Sequence, residues 1–151
     1  MRSALLVALL AGLAPPRPAE CPRRVCTCAG WATASEAAQA ADLVFVARAV
    51  SVRDTSVTDS RGSGRAPATF RFTVATLAVE YGWKGLPPDT LDLLGTGSGG
   101  DCLMGFERGR RYLLYVQASA GQLSTTWCSR SARADAAVRD LAALGPPEYR
   151  R

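Results

Sequence analysis

Two of the five cysteines stand one residue apart, in Cys26-Thr27-Cys28, and two more, Cys102 and Cys128, lie far downstream in a chain with no histidine. A bridge between Cys26 and Cys28 would close a strained ring across a single residue. Pairing each with a distant partner relieves that strain and forces one short N-terminal strip against two remote stretches of chain. Such bridges close loops of about 75 and 100 residues, each contributing on the order of 4 kcal/mol in the chain-entropy model. Which cysteine takes which partner is left open by spacing alone. Cys21 is the odd one out: a free thiol, an intermolecular bridge and a degenerate lipid site are all compatible with it.

The N-terminus sets the redox compartment. Arg2 is followed by a twelve-residue apolar run, Ser3 to Ala14, which has the length of a signal peptide and falls short of the roughly 18–20 residues a membrane span requires. Residues 1–19 are therefore expected to be a signal peptide and 20–25 a linker, in a secreted or periplasmic protein where disulfides persist. Each cleavage point carries a defect. Pro15 follows Ala14, Arg17 stands close before Ala19, and Glu20 precedes Cys21 where a lipoprotein site needs a small residue. Removing residues 1–19 takes Arg2 and Arg17 away and leaves 16 basic against 13 acidic side chains. These are scattered, without the concentrated basic face and aromatic partners of a nucleic-acid binder, so no nucleic-acid partner is expected. Arginine outnumbers lysine 17 to 1, a bias of GC-rich coding that points to a bacterium.

The remaining chain has the length of one domain. Thr33-Ala-Ser-Glu36 is a capping-box pattern ahead of an alanine-rich stretch, which predicts a short helix over 35–41. Residues 43–52 (LVFVARAVSV) predict a strand buried along much of its length, and the polar stretch 54–67 an exposed loop. Phe70, Phe72 and Val74 alternate, predicting a half-buried strand over 69–79, broken by Trp83-Lys84-Gly85 and Pro87-Pro88. Short strands are expected over 90–94, 111–117 and 122–127, the last two as an antiparallel pair around Gly121. A helix over 132–144 would end at Gly145-Pro146-Pro147. About five antiparallel strands with a helix at each end fit a small, nearly closed barrel, which buries one core without long exposed edges.

Cys26-Thr27-Cys28, the run Asp42 to Arg48, Lys84-Gly85, Asp101-Cys102 and the run Leu123 to Ser129 occur in an order, across residues 26–129, that resembles the N-terminal inhibitory domain of the tissue inhibitors of metalloproteinases in a compact bacterial form. The resemblance implies a mainly β domain over 26–145, a five-stranded antiparallel OB-fold barrel with a short N-terminal helix and a C-terminal helix, followed by a tail over 146–151. It implies disulfides Cys26–Cys102 and Cys28–Cys128. It also implies an inhibitory ridge of Cys26, Thr27 and Cys28, with Gly100 and Asp101 beside it and a zinc metalloproteinase as partner. In that family the first cysteine is the mature N-terminus and chelates the target's zinc through its α-amine and carbonyl. The matching role for Cys26 requires that nothing precede it. The alternative expectation is a non-inhibitory exported OB-fold module that binds a protein or a glycan.

Other chemistry fares worse. Gly95-Thr-Gly97-Ser-Gly99-Gly100 matches a dinucleotide-binding pattern, yet no helix start follows and no parallel βαβ unit surrounds it. Cys26, Cys28, Cys102 and Cys128 could form a four-thiolate zinc site, but export favours disulfides. A redox role for Cys26-Thr27-Cys28 would need a low-pKa thiolate, and no basic side chain directly adjoins the pair. Hydrolase triads lack their histidine. Asp89 and Asp92 read as solvent-facing strand residues, and Trp83 and Trp127 as core or edge packing. No enzyme and no cofactor is expected.

Overall fold

In a computed structural model the chain is described over residues 28–31, 33–59, 68–97, 102–119 and 121–151. Its elements are α1 (Ala34–Ala40), β1 (Leu43–Asp59), β2 (Ala68–Lys84), β3 (Thr90–Gly97), β4 (Arg111–Ser119), β5 (Gln122–Ser124), a 3₁₀ turn (Trp127–Ser129), β6 (Ala132–Arg133), α2 (Val138–Leu144) and β7 (Tyr149–Arg150). The strands run antiparallel in the order β3-β2-β1-β4-β5, with β6 added to β4 and β7 to β2. The five main strands curl into a half-barrel, an OB-type sheet left open between β3 and β5. The β1–β2 ladder shifts register three times between Val44 and Ser51. Each irregularity sharpens the local twist, which is how a long two-stranded ribbon bends into a barrel wall.

Alternation sorts the side chains into two cores. Phe45, Ala47 and Ala49 of β1 face the barrel interior with Ala75, Leu77 and Val79 of β2, Leu91 and Leu93 of β3, and Tyr112, Leu114 and Val116 of β4. Val44, Val46, Leu113 and Tyr115 point to the other face and pack under Ala37 of α1 and Ala137. The middle of β1 is thus apolar on both sides because both sides are covered. The helix start is as expected: Thr33 Oγ1 accepts from Glu36 N at 3.2 Å, and Glu36 Oε2 accepts from Thr33 N at 3.0 Å. The C-terminal carbonyls of α1 are held by Lys84, whose Nζ donates to Ala38 O and Gln39 O at 3.0 and 2.9 Å. A lysine there also complements the helix dipole. Gly85, next to it, takes φ +67°, and a Cβ would collide with Leu43 and crowd the Asp42 carbonyl.

Several boundaries differ from the sequence expectation. The stretch 54–59, expected to be loop, continues β1, and β2 runs through Lys84 rather than ending near Val79. The distal ribbon is polar because it extends past the core, yet Thr55, Val57 and Thr58 are strand formers. Thr58 and Thr69 hydroxyls meet across it at 3.1 Å, and Val57 opposes Phe70. Phe70 is accordingly exposed, and the buried part of β2 lies further on, at 75–79. The C-terminal helix is confined to Val138–Leu144, since Ala132 and Arg133 pair with Leu113 and Tyr112. Residues 148–151 dock rather than trail. Tyr149 packs on the barrel core, Arg151 N bonds Glu80 O at 2.8 Å, and the Arg151 side chain reaches Asp89 and the Pro87 carbonyl. The signal peptide and linker expected over 1–25 lie outside the described residues. Among the described residues no helix is long and apolar enough to cross a membrane.

Candidate functional site

Three chain segments meet at the cysteine-rich edge. Cys28 is disulfide-bonded to Cys128, 100 residues away in sequence, with Cα atoms 5.1 Å apart. This is the second of the two bridges implied by the resemblance. Cys102 is disulfide-bonded as well. Its carbonyl accepts from Trp127 N at 3.1 Å, and Leu103 forms a single antiparallel bridge with Thr126. The Cys102 and Cys128 segments therefore lie side by side. Of the other sequence-derived ridge residues, Cys26, Thr27, Gly100 and Asp101 lie outside the described residues, as does Cys21. Because Cys28 and Cys128 are joined to each other, neither is available as a zinc thiolate.

Local sequence explains how Cys128 is presented. Thr126 caps the 3₁₀ turn, its hydroxyl accepting from Cys128 N at 3.1 Å. Beneath it, Thr125 and Ser131 are buried and bind each other at 2.6 Å, and Ser129 joins them at 3.0 and 2.9 Å. Thr125 Oγ1 donates to Tyr115 O, and Ser131 Oγ accepts from Tyr115 N. This cluster of three hydroxyls continues the ladder on the edge of β4 that faces away from β1, between its pairings with β5 and β6, leaving the buried backbone satisfied. The chain then turns at Arg130, which adopts φ +72° without being glycine.

Arg130 is the residue that locks the edge. Its Nε and Nη2 donate to the two Asp140 oxygens at 2.8 and 2.6 Å, and its Nη1 donates to Trp31 O at 3.0 Å. One guanidinium thus ties α2 to the strip that carries Cys28. Asp140 is only 8% exposed and also accepts from the Tyr115 hydroxyl at 3.3 Å. The Arg130 hydrogen bonds hold the Asp140 carboxyl below the ordinary carboxylate range, against the desolvation that pushes it up; the Tyr115 hydroxyl acts with Arg130. Burial, and then the neighbouring Asp140 charge, push the Tyr115 hydroxyl well above the usual tyrosine range. Trp31 and Trp127, on the two segments joined by the disulfide, remain 43% and 50% exposed. Trp127 is thus a surface residue rather than a core one, whereas Trp83 packs on Tyr81 and donates to Gly145 O at 2.8 Å.

The residues set aside in the sequence find structural roles. Gly95 sits within β3, where a Cβ would strike Thr73 and crowd the Met104 carbonyl at 3.0 Å. It is a close-packing glycine of an antiparallel strand. Asp92 is an exposed strand residue, held by Thr76 at 2.7 Å and Arg53 at 2.9 Å. No sequence motif marks Arg130 or Asp140. The one available signal was an aspartate inside an otherwise apolar and alanine-rich helical face, a position that demands a partner.

No family model matches this sequence, and no curated protein is detectably similar to it.

Proposed function

We propose that this is a secreted or periplasmic inhibitor of a zinc metalloproteinase, acting through the Cys26-Thr27-Cys28 strip. The supporting observation is the Cys28–Cys128 disulfide, reinforced by the Arg130 bond to Trp31. Together they fasten the chain immediately after the strip to the barrel, so that little ordering entropy would be lost on docking into a cleft. In the inhibitory form Cys26 is the first residue. Its free α-amine and its carbonyl ligate the target's zinc, and the Thr27 side chain enters the pocket beside the metal. An amide nitrogen has delocalised its lone pair, so any residue preceding Cys26 abolishes this ligation.

The test compares two purified forms, one beginning at Cys26 and one retaining residues 20–25, against zinc endopeptidases cleaving a fluorogenic peptide. The shorter form should inhibit and the longer should not, and Thr27→Gly should weaken the shorter. Absence of inhibition by the Cys26 form at high micromolar concentration would reject the reading. The exposed Trp31 and Trp127 favour a second reading, a non-inhibitory module that binds a protein or glycan at the same edge. Under that reading both forms bind the partner equally, and Trp127→Ala rather than Thr27→Gly abolishes binding.

A further inference from the structure

Away from the cysteine edge, Arg48, Arg110, Arg111 and Arg133 converge on one cleft of about 330 Å³, completed by Tyr81, Gly109, Ala134, Asp135 and Leu141. The four arginines come from β1, from the residue before β4, from the start of β4 and from β6. Arg48 and Arg111 are directly opposed across the β1–β4 ladder. Like charges in that position repel and weaken a sheet, so folding by itself does not favour the pair. One carboxylate serves both: Glu80 binds Arg48 at 3.1 Å and Arg111 at 2.7 Å. Arg110 and Arg133 share Glu107 loosely, at 3.5 and 3.9 Å, and Arg133 also holds Asp135 at 2.6 Å. A fifth guanidinium, that of Arg150, lies 5.2 Å from the Tyr81 ring centre, with Arg111 at 5.9 Å from the same ring.

Four guanidiniums therefore line the cleft against three carboxylates, a surplus of one positive charge around a concave space, with Arg150 beside it on the Tyr81 ring. We propose that this cleft is a binding site for a tetrahedral oxyanion, a phosphate or sulfate group, free or carried as the monoester of a small sugar. A planar fork of N–H donors matches such oxygens two at a time. The volume lies at the low end for ligand pockets, enough for the anion and one ring but not for an extended chain. Leu141 and Ala134 give the cleft an apolar wall of the kind a sugar ring packs against.

The experiment titrates the full folded chain with inorganic phosphate, inorganic sulfate, glucose 6-phosphate and glucose, followed by calorimetry and by the arginine Nε–H resonances. A dissociation constant on the order of 1 mM is expected for the inorganic anions, with saturable shifts confined to the cleft arginines. Glucose should not bind. A tenfold preference for glucose 6-phosphate over phosphate identifies a monoester site, and equal affinity a free-ion site. Arg133→Gln and Arg110→Gln should each weaken binding at least fivefold, while Arg71→Gln, on the distal ribbon, should leave it unchanged. The proposal is overturned if no saturable shift appears, or if Arg71→Gln weakens binding as much as the cleft variants do.

Discussion

Arg130 at the cysteine edge and the arginines of the cleft are the same side chain in two electrostatic settings. Arg130 meets Asp140 through two short bonds in a setting where the aspartate side chain is 12% exposed. In the cleft, Glu107 is 62% exposed and its two arginine partners stand at 3.5 and 3.9 Å. In the first case the carboxylate is largely desolvated and the pair is geometrically fixed, so removing one partner strands the other. In the second, water screens the charges and a surplus is left facing solvent. The edge is built to hold a segment still, and the cleft keeps donors for something else. A pair's contribution to folding depends on burial and geometry rather than on the count of opposite charges.

The largest effect should come from the covalent tie. Replacing Cys28 and Cys128 together by serine should lower unfolding stability by about 4–5 kcal/mol, as the loop they close demands, measured by denaturant unfolding of the oxidised protein. Next, Asp140→Ala should cost about 3 kcal/mol, because it leaves the Arg130 charge partly buried without its partner. The same measurement on Arg110→Gln should give a change within about 1 kcal/mol, as for exposed pairs. A loss as large as that of Asp140→Ala would erase the contrast between the two regions.

Acid and base titrations sharpen it further. Asp140 has a folded pKa below its unfolded value of about 3.9, so its contribution is complete above that pH and is lost as the pH falls through the folded value. The stability gap between the native chain and Asp140→Asn should be flat at neutral pH and shrink in acid. Tyr115 is displaced the other way. Its contribution is complete below its unfolded pKa of about 10 and is lost as the pH rises from there through the folded value. Tyr115→Phe should flatten the alkaline decline, the smallest of these effects, followed by circular dichroism during alkaline titration.

The residues legible in advance were those whose signal is local. Thr33 and Glu36 announced α1, the apolar run at 43–47 announced the centre of the barrel, and Gly145 marked the end of α2. The distal ribbon is not legible in this way, because a polar stretch with serine, threonine and glycine has the composition of a loop. Its residues have no core to face, so strand propensity and cross-strand pairing carried the structure there without an apolar alternation. β6 and β7 are two-residue strands whose pairing energy comes entirely from partners far away in sequence, which no local window contains. Arg130 is a further case, because its left-handed backbone is imposed by the turn between the 3₁₀ segment and β6.

By itself the sequence determined that distant cysteines must staple a small β-rich domain, that one strand would be buried along much of its length, and that histidine-dependent catalysis was unavailable. Those conclusions follow from residue type, spacing and period. Tertiary structure alone decided which charges are matched and which are in surplus, because Arg48, Arg110, Arg111 and Arg133 come from separate strand segments and meet only when the sheet curls. It also decided that Trp127 stays at the surface while Asp140 goes inside. Burial belongs to the packed whole, and the strength of every charge pair here depends on it.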